Sequence, residues 1–167
     1  MQTKQFTRLS GMVLAVMLTL LIGSVRAHDS KLEGTWDVIL KFPPETCART
    51  ECNCPRGMPN IPIRTLNTFL KGGGMVWSTT TYLVGPGQGA WEHLGHNDFM
   101  AHFRFYIFFD PNDTRYEEVT QFITLHGHDT YTGTMTYDLL HAGAEPADDT
   151  VIAKKCKVNI DTVKRLE

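Results

Sequence analysis

What this 167-residue chain lacks most is helical periodicity. Beyond residue 27, no segment of useful length repeats its apolar residues at a spacing of three to four. That argues against a helical bundle or any fold built on long crossover helices. A basic stripe is also missing, which removes the usual footprint of nucleic acid or anionic lipid as a main partner. There is no Gly-x-Ser-x-Gly elbow, no phosphate-binding loop and no His-Glu-x-x-His. The acyl-transfer, nucleotide and zinc-protease chemistries that need those motifs therefore have no foothold. No internal repeat and no low-complexity segment interrupts the chain.

The one long apolar run lies at the start. Lys4 and Arg8 precede an uncharged stretch, Gly11 to Gly23, and Val25-Arg26-Ala27 places small residues where a signal peptidase reads. This three-part layout predicts a secretory signal peptide over residues 1–27. The run has about a dozen residues, short of the roughly 20 a spanning helix needs. No Cys follows the cleavage site, so a lipid anchor is not expected, and no membrane association is expected after cleavage. The mature part, residues 28–167, has the length of one domain. Lys4, Arg8 and Arg26 leave with the leader, reducing the 16 basic residues to 13 against 18 acidic ones, for a net charge of −5. Localisation is expected to be secreted or periplasmic.

Cysteine is scarce but placed where export gives it meaning. Cys47, Cys52, Cys54 and Cys156 all lie in the mature part, and outside the cytoplasm they read as disulfides. A Cys52–Cys54 bond would close a strained ring. Cys156 is expected to tie the Cys47–Cys54 loop to the last strand, with the pairing left open. The Cys-x4-Cys-x-Cys spacing is not that of a zinc knuckle, so neither a metal nor a cofactor is expected.

The mature part reads as short β-rich runs punctuated by Gly, Pro, Asn and Asp. Eight are predicted: 32–42, 61–71, 75–84, 89–94, 99–109, 114–125, 130–140 and 150–163. The fifth alternates most clearly. Phe103, Phe105, Ile107 and Phe109 share one face; His102, Arg104, Tyr106 and Phe108 share the other. A loop spanning Glu45 to Asn60 holds three of the cysteines. Eight sequential strands with short connections predict an all-β fold, an eight-stranded antiparallel up-and-down barrel without substantial helix. Closure removes the bare edges that invite aggregation. An open two-sheet sandwich is the second possibility.

Gly34-Thr35-Trp36 on the first run resembles the Gly-x-Trp signature of the calycin superfamily, which comprises lipocalins, avidins and fatty-acid-binding proteins. Gly89-Ala90-Trp91, the aromatic run with Asp110-Pro111, and Thr132-Gly133-Thr134 extend the resemblance to a group of small exported bacterial proteins of calycin-like architecture, over most of residues 32–166. The resemblance implies that Gly34, Trp36 and Arg165 close one end of the barrel, with Arg165 packed across Trp36. The chain departs from lipocalins in having no long helix before its last strand. That favours an avidin-like or stripped-down version.

Seven histidines invite an acid–base or metal role. His93, His96, His126 and His128 fall in turns, where solvation explains them. Glu117 and Glu118 are neighbours on one strand and point to opposite faces, so they cannot form a glycosidase-like pair. Hydrophobicity alone assigns the Phe103/Phe105/Ile107 face to the core. Ligand-binding barrels, however, have partly polar interiors. The candidate ligand-binding residues are therefore His102, Arg104, Tyr106 and Trp77, with no catalytic residue assigned. The leading functional expectation is an exported barrel binding a small, partly apolar molecule. The alternatives are a small-barrel cyclase or isomerase of the allene-oxide-cyclase or dirigent type, and a structural or protein-interaction domain with a filled core.

Overall fold

The computed structural model describes residues 31–52, 54, 61–81, 83–110, 113–143 and 150–166. The leader expected at 1–27 lies outside the described residues. Eight strands follow one another: β1 (Gly34–Lys41), β2 (Pro62–Phe69), β3 (Gly74–Thr79), β4 (Gly87–Gly95), β5 (Asp98–Asp110), β6 (Asp113–His126), β7 (Thr130–His141) and β8 (Thr150–Arg165). Each pairs antiparallel with the next, and β8 returns to β1, so the sheet closes into a ring of eight strands. The two ends of the sequence thus supply the sealing pair, with Trp36 opposite Arg165 and Val38 opposite Val163.

Alternation fixes which face looks inward. On β5, Phe99, Ala101, Phe103, Phe105 and Ile107 are all buried, while His102, Arg104, Tyr106 and Phe108 are exposed. A slip of one residue would exchange these sets and put five apolar side chains into water, so the register is firmly specified. On β6 the same rule turns Glu117, Val119, Gln121, Ile123 and Leu125 inward. The hairpin between β2 and β3 turns through Gly72 and Gly73, whose φ values of 89° and 90° need residues without a Cβ.

Two elements differ from the sequence expectation. The segment after β1 is not all loop: α1 (Pro44–Cys47) and a 3-10 turn (Thr50–Cys52) form there. Both dock on β8: Thr46 Oγ1 donates to Lys157 O at 2.8 Å, Cys52 is bonded to Cys156, and Arg49, between the two elements, donates through Nη1 to Lys154 O at 2.9 Å. The third strand also ends early, at Thr79 rather than near 84. The Thr81 amide donates to Thr79 Oγ1 at 3.4 Å, and the Val84 amide to Thr81 O at 3.3 Å. Threonine hydroxyls offer the backbone such local partners in place of a ladder. The ring wall is therefore short on one side, where Thr80, Thr81, Leu83 and Val84 lie at its rim.

All four cysteines are paired. Cys47–Cys54 closes a seven-residue separation, and Cys52–Cys156 one of 104, with Cα–Cα distances of 5.1 and 5.7 Å. The first bond gathers the loop, and the second fastens it to β8.

Candidate functional site

The two ends of the ring are built differently. At the end where β1 begins, Trp36 is fully buried and donates its indole N–H to Leu32 O at 2.9 Å. Tyr131 meets its ring edge-on at 5.2 Å. The Arg165 guanidinium lies 5.3 Å over the same indole and donates to the carbonyls of Lys31, Glu33 and His128. Gly34 makes room for it: φ there is 126°, and a Cβ would sit 3.1 Å from Arg165 Nη2. Phe69, Ile123 and Leu125 fill the remaining space. This end is sealed.

Midway along the interior lies a polar layer. Asn67 Nδ2 donates to Gln121 Oε1 at 3.1 Å, and both amides reach the Tyr131 hydroxyl at 3.3 Å. Burial raises the Tyr131 pKa, keeping the hydroxyl neutral. Among the described residues, three buried polar atoms have no hydrogen-bond partner: Thr65 Oγ1, Asn67 Oδ1 and Trp77 Nε1. All three belong to the inner faces of β2 and β3, where Asn67 stands directly opposite Trp77. An unpaired buried polar atom costs about 1–3 kcal/mol, so such a cluster is unusual in a merely structural interior.

Beyond this layer the other end opens into a cavity of about 660 Å³. Small-molecule sites commonly enclose about 300–1,000 Å³. Its walls include Leu40, Phe42, Ile63, Trp77, Phe105 and Ile107, and the early end of β3 brings Thr79, Thr81, Leu83 and Val84 to the rim. Trp77 stacks on Phe105 at 4.3 Å with planes 14° apart. Phe42 packs edge-on to Tyr137 at 6.1 Å. The Tyr137 hydroxyl donates to Cys52 O, which ties the disulfide loop to the cavity wall.

One wall residue stands apart. Glu117 is only 7% exposed, and among the described residues neither a hydrogen bond nor an ion pair reaches its carboxyl. Burial pushes its pKa up to about 8. Its charge acts on Tyr137, whose pKa is raised chiefly by burial and further by Glu117. A carboxyl with this pKa can hold or release a proton near neutral pH, the property expected of a functional group rather than a packing one.

The residues singled out in the sequence divide sharply. Trp77 lines the cavity. His102, Arg104 and Tyr106 do not: they stand on the outer face, which corrects the inward placement their candidacy required. The physical reason is the alternation that buries Phe103, Phe105 and Ile107. His102 Nδ1 is 3.2 Å from Thr120 Oγ1. Arg104 pairs with Glu118 and lies 4.3 Å over the Tyr116 ring. In the sequence, Glu117 was weighed only together with Glu118, as a glycosidase-like pair that side chains on opposite faces cannot form. Counting back by twos from Leu125 through Ile123 and Val119 would have found it on the apolar face.

The fold and site together define an all-β protein whose closed eight-stranded sheet is sealed at one end and carries an aromatic-lined cavity at the other. Comparison with protein-family models, curated protein sequences and solved structures found no match to this chain.

Proposed function

We propose that this chain is an exported, calycin-type β-barrel that binds a small, partly apolar molecule in the cavity at its open end. The observation carrying this reading is the pairing of an aromatic-walled space of about 660 Å³ with two polar groups that have no partner among the described residues, the Glu117 carboxyl and the Trp77 indole N–H. Binding pockets combine mostly apolar walls with a few placed polar groups. A filled structural core would have no use for either group. Export rests on the leader at residues 1–27 and suits a domain fastened by two disulfides. The calycin relation rests on Gly34-Thr35-Trp36 and on Arg165 over the indole.

The test is native mass spectrometry of the protein recovered from its own host, joined to titration with the neutral dye Nile red. A co-purifying adduct, or dye fluorescence that rises saturably and is weakened at least about fivefold in Trp77→Phe, supports the reading. A protein free of adducts that leaves the dye dark would end it.

A further inference from the structure

Resting on that reading, we infer that the cavity takes an organic monocation: an amine carried on an apolar, preferably aromatic body, with its nitrogen against the Glu117 carboxylate.

The charges lining the site point one way. Among the described residues of the cavity wall, Glu117 is the only acidic side chain, and no Lys, Arg or His accompanies it. Buried charges in proteins are ordinarily paired, because an isolated one carries a large desolvation cost. Here the described residues supply no partner, so a cationic ligand would complete the pair on arrival. An anionic ligand would find no basic group among the described wall residues and, once Glu117 is ionised, a like charge in a desolvated space. A neutral ligand would leave the carboxyl protonated and contribute only an ordinary hydrogen bond.

The walls agree with the charge. The Trp77, Phe105, Phe42 and Tyr137 rings surround the same space. Aromatic faces attract alkylammonium groups through their quadrupoles, and Trp does so best. The apolar surface of Leu40, Ile63, Ile107 and Val158 would receive the body of the ligand. The unpartnered Trp77 N–H adds a donor for any acceptor elsewhere on the molecule.

Proton linkage gives the inference a second signature. Glu117 carries its proton below about pH 8, so a cation must displace that proton to form the pair. Amine affinity therefore rises with pH until the amine itself loses its charge. The groups facing Glu117 do not blur this dependence. Its cross-strand partners are Phe105 on β5 and Leu139 on β7. Tyr137 titrates far higher, and Cys54 is bonded to Cys47.

The experiment uses three probes of one shape, phenylbutylamine, phenylbutanol and phenylbutyrate, with Nile red as reporter and competitor. At about pH 9 the amine should bind at least about tenfold tighter than the alcohol, the scale of a charge-assisted hydrogen bond, with the carboxylate weakest. In Glu117→Gln the amine and alcohol should converge to within about twofold while dye binding persists. In the wild-type protein the amine preference should shrink by about tenfold on going to about pH 6.5. If the Gln variant fails to fold, this pH dependence in the wild-type protein carries the test alone. Equal affinities for amine and alcohol at both pH values, with the dye still bound, would overturn the cation assignment and leave the cavity a ligand site. Failure of all three probes and of the dye would strike the proposed function itself.

Discussion

Glu117 illustrates how a single side chain can set the pH behaviour of a domain. Its carboxyl titrates near 8 in the folded protein, against an ordinary value of 4.5. Between those values the folded state holds a proton that the unfolded state releases. Stability is therefore greatest at low pH within this window and falls as pH rises, by up to about 1.4 kcal/mol per pH unit. Glu117→Gln removes the dependence. Urea midpoints of the two proteins should lie close near pH 5 and separate toward pH 8, with the variant the more stable; parallel curves would show that the carboxyl is hydrated. Arg104 makes the contrasting case. It sits outside, against Glu118 and Tyr116, so Arg104→Ala should cost about 0.5–1.5 kcal/mol and leave dye affinity unchanged. Legibility at this scale depended on neighbours. Trp77 could be picked out as a large aromatic on a strand. The inward face of Glu117 could be counted back from Leu125, but that this face lines a cavity at Glu117 could not be read from β6 alone.

At the scale of elements, alternation was the readable quantity. β5 holds its pattern from Phe99 to Phe108, and its inner face emerges directly from the order of apolar side chains. β3 was harder, because threonine favours strands by shape and turns by its hydroxyl. Nothing in Ser78-Thr79-Thr80-Thr81 says where the ladder stops, yet that stop shapes the rim of the cavity. The cysteine pairing was likewise beyond the sequence, since four thiols allow three arrangements. It is decided by the docking of α1 and the 3-10 turn on β8, which sets Cys52 beside Cys156. The two bonds should differ in weight. In the chain-entropy picture, the bond spanning 104 residues contributes about 4–5 kcal/mol and the one spanning seven about 2. Denaturant titration of the Cys52→Ala/Cys156→Ala and Cys47→Ala/Cys54→Ala proteins should rank them in that order. The reverse ranking would mean that the small ring matters through native contacts around the cavity.

At the scale of the whole molecule, closure is the organising fact. The ring is completed only when β8 meets β1, a pairing that joins residues more than a hundred positions apart, so refolding should be slow for the size of the chain. A protein ending at His141 leaves β1 and β7 each with a bare edge and loses Cys156 as well. Size-exclusion chromatography should show it as multimers or aggregate, while the full chain avoids edge pairing. Eight runs and short connections were enough to anticipate the ring, because few arrangements hide that many strand edges. They did not place the cavity, whose rim is shaped where β3 ends early. The plug of Trp36, Tyr131 and Arg165 has a kinetic corollary. A vessel stoppered at one end has a single doorway, so an incoming guest cannot push the resident out from behind. Exchange must wait for departure. The rate at which a saturating competitor releases bound dye should therefore be independent of competitor concentration; a release rate that climbs with competitor would reveal a back entrance.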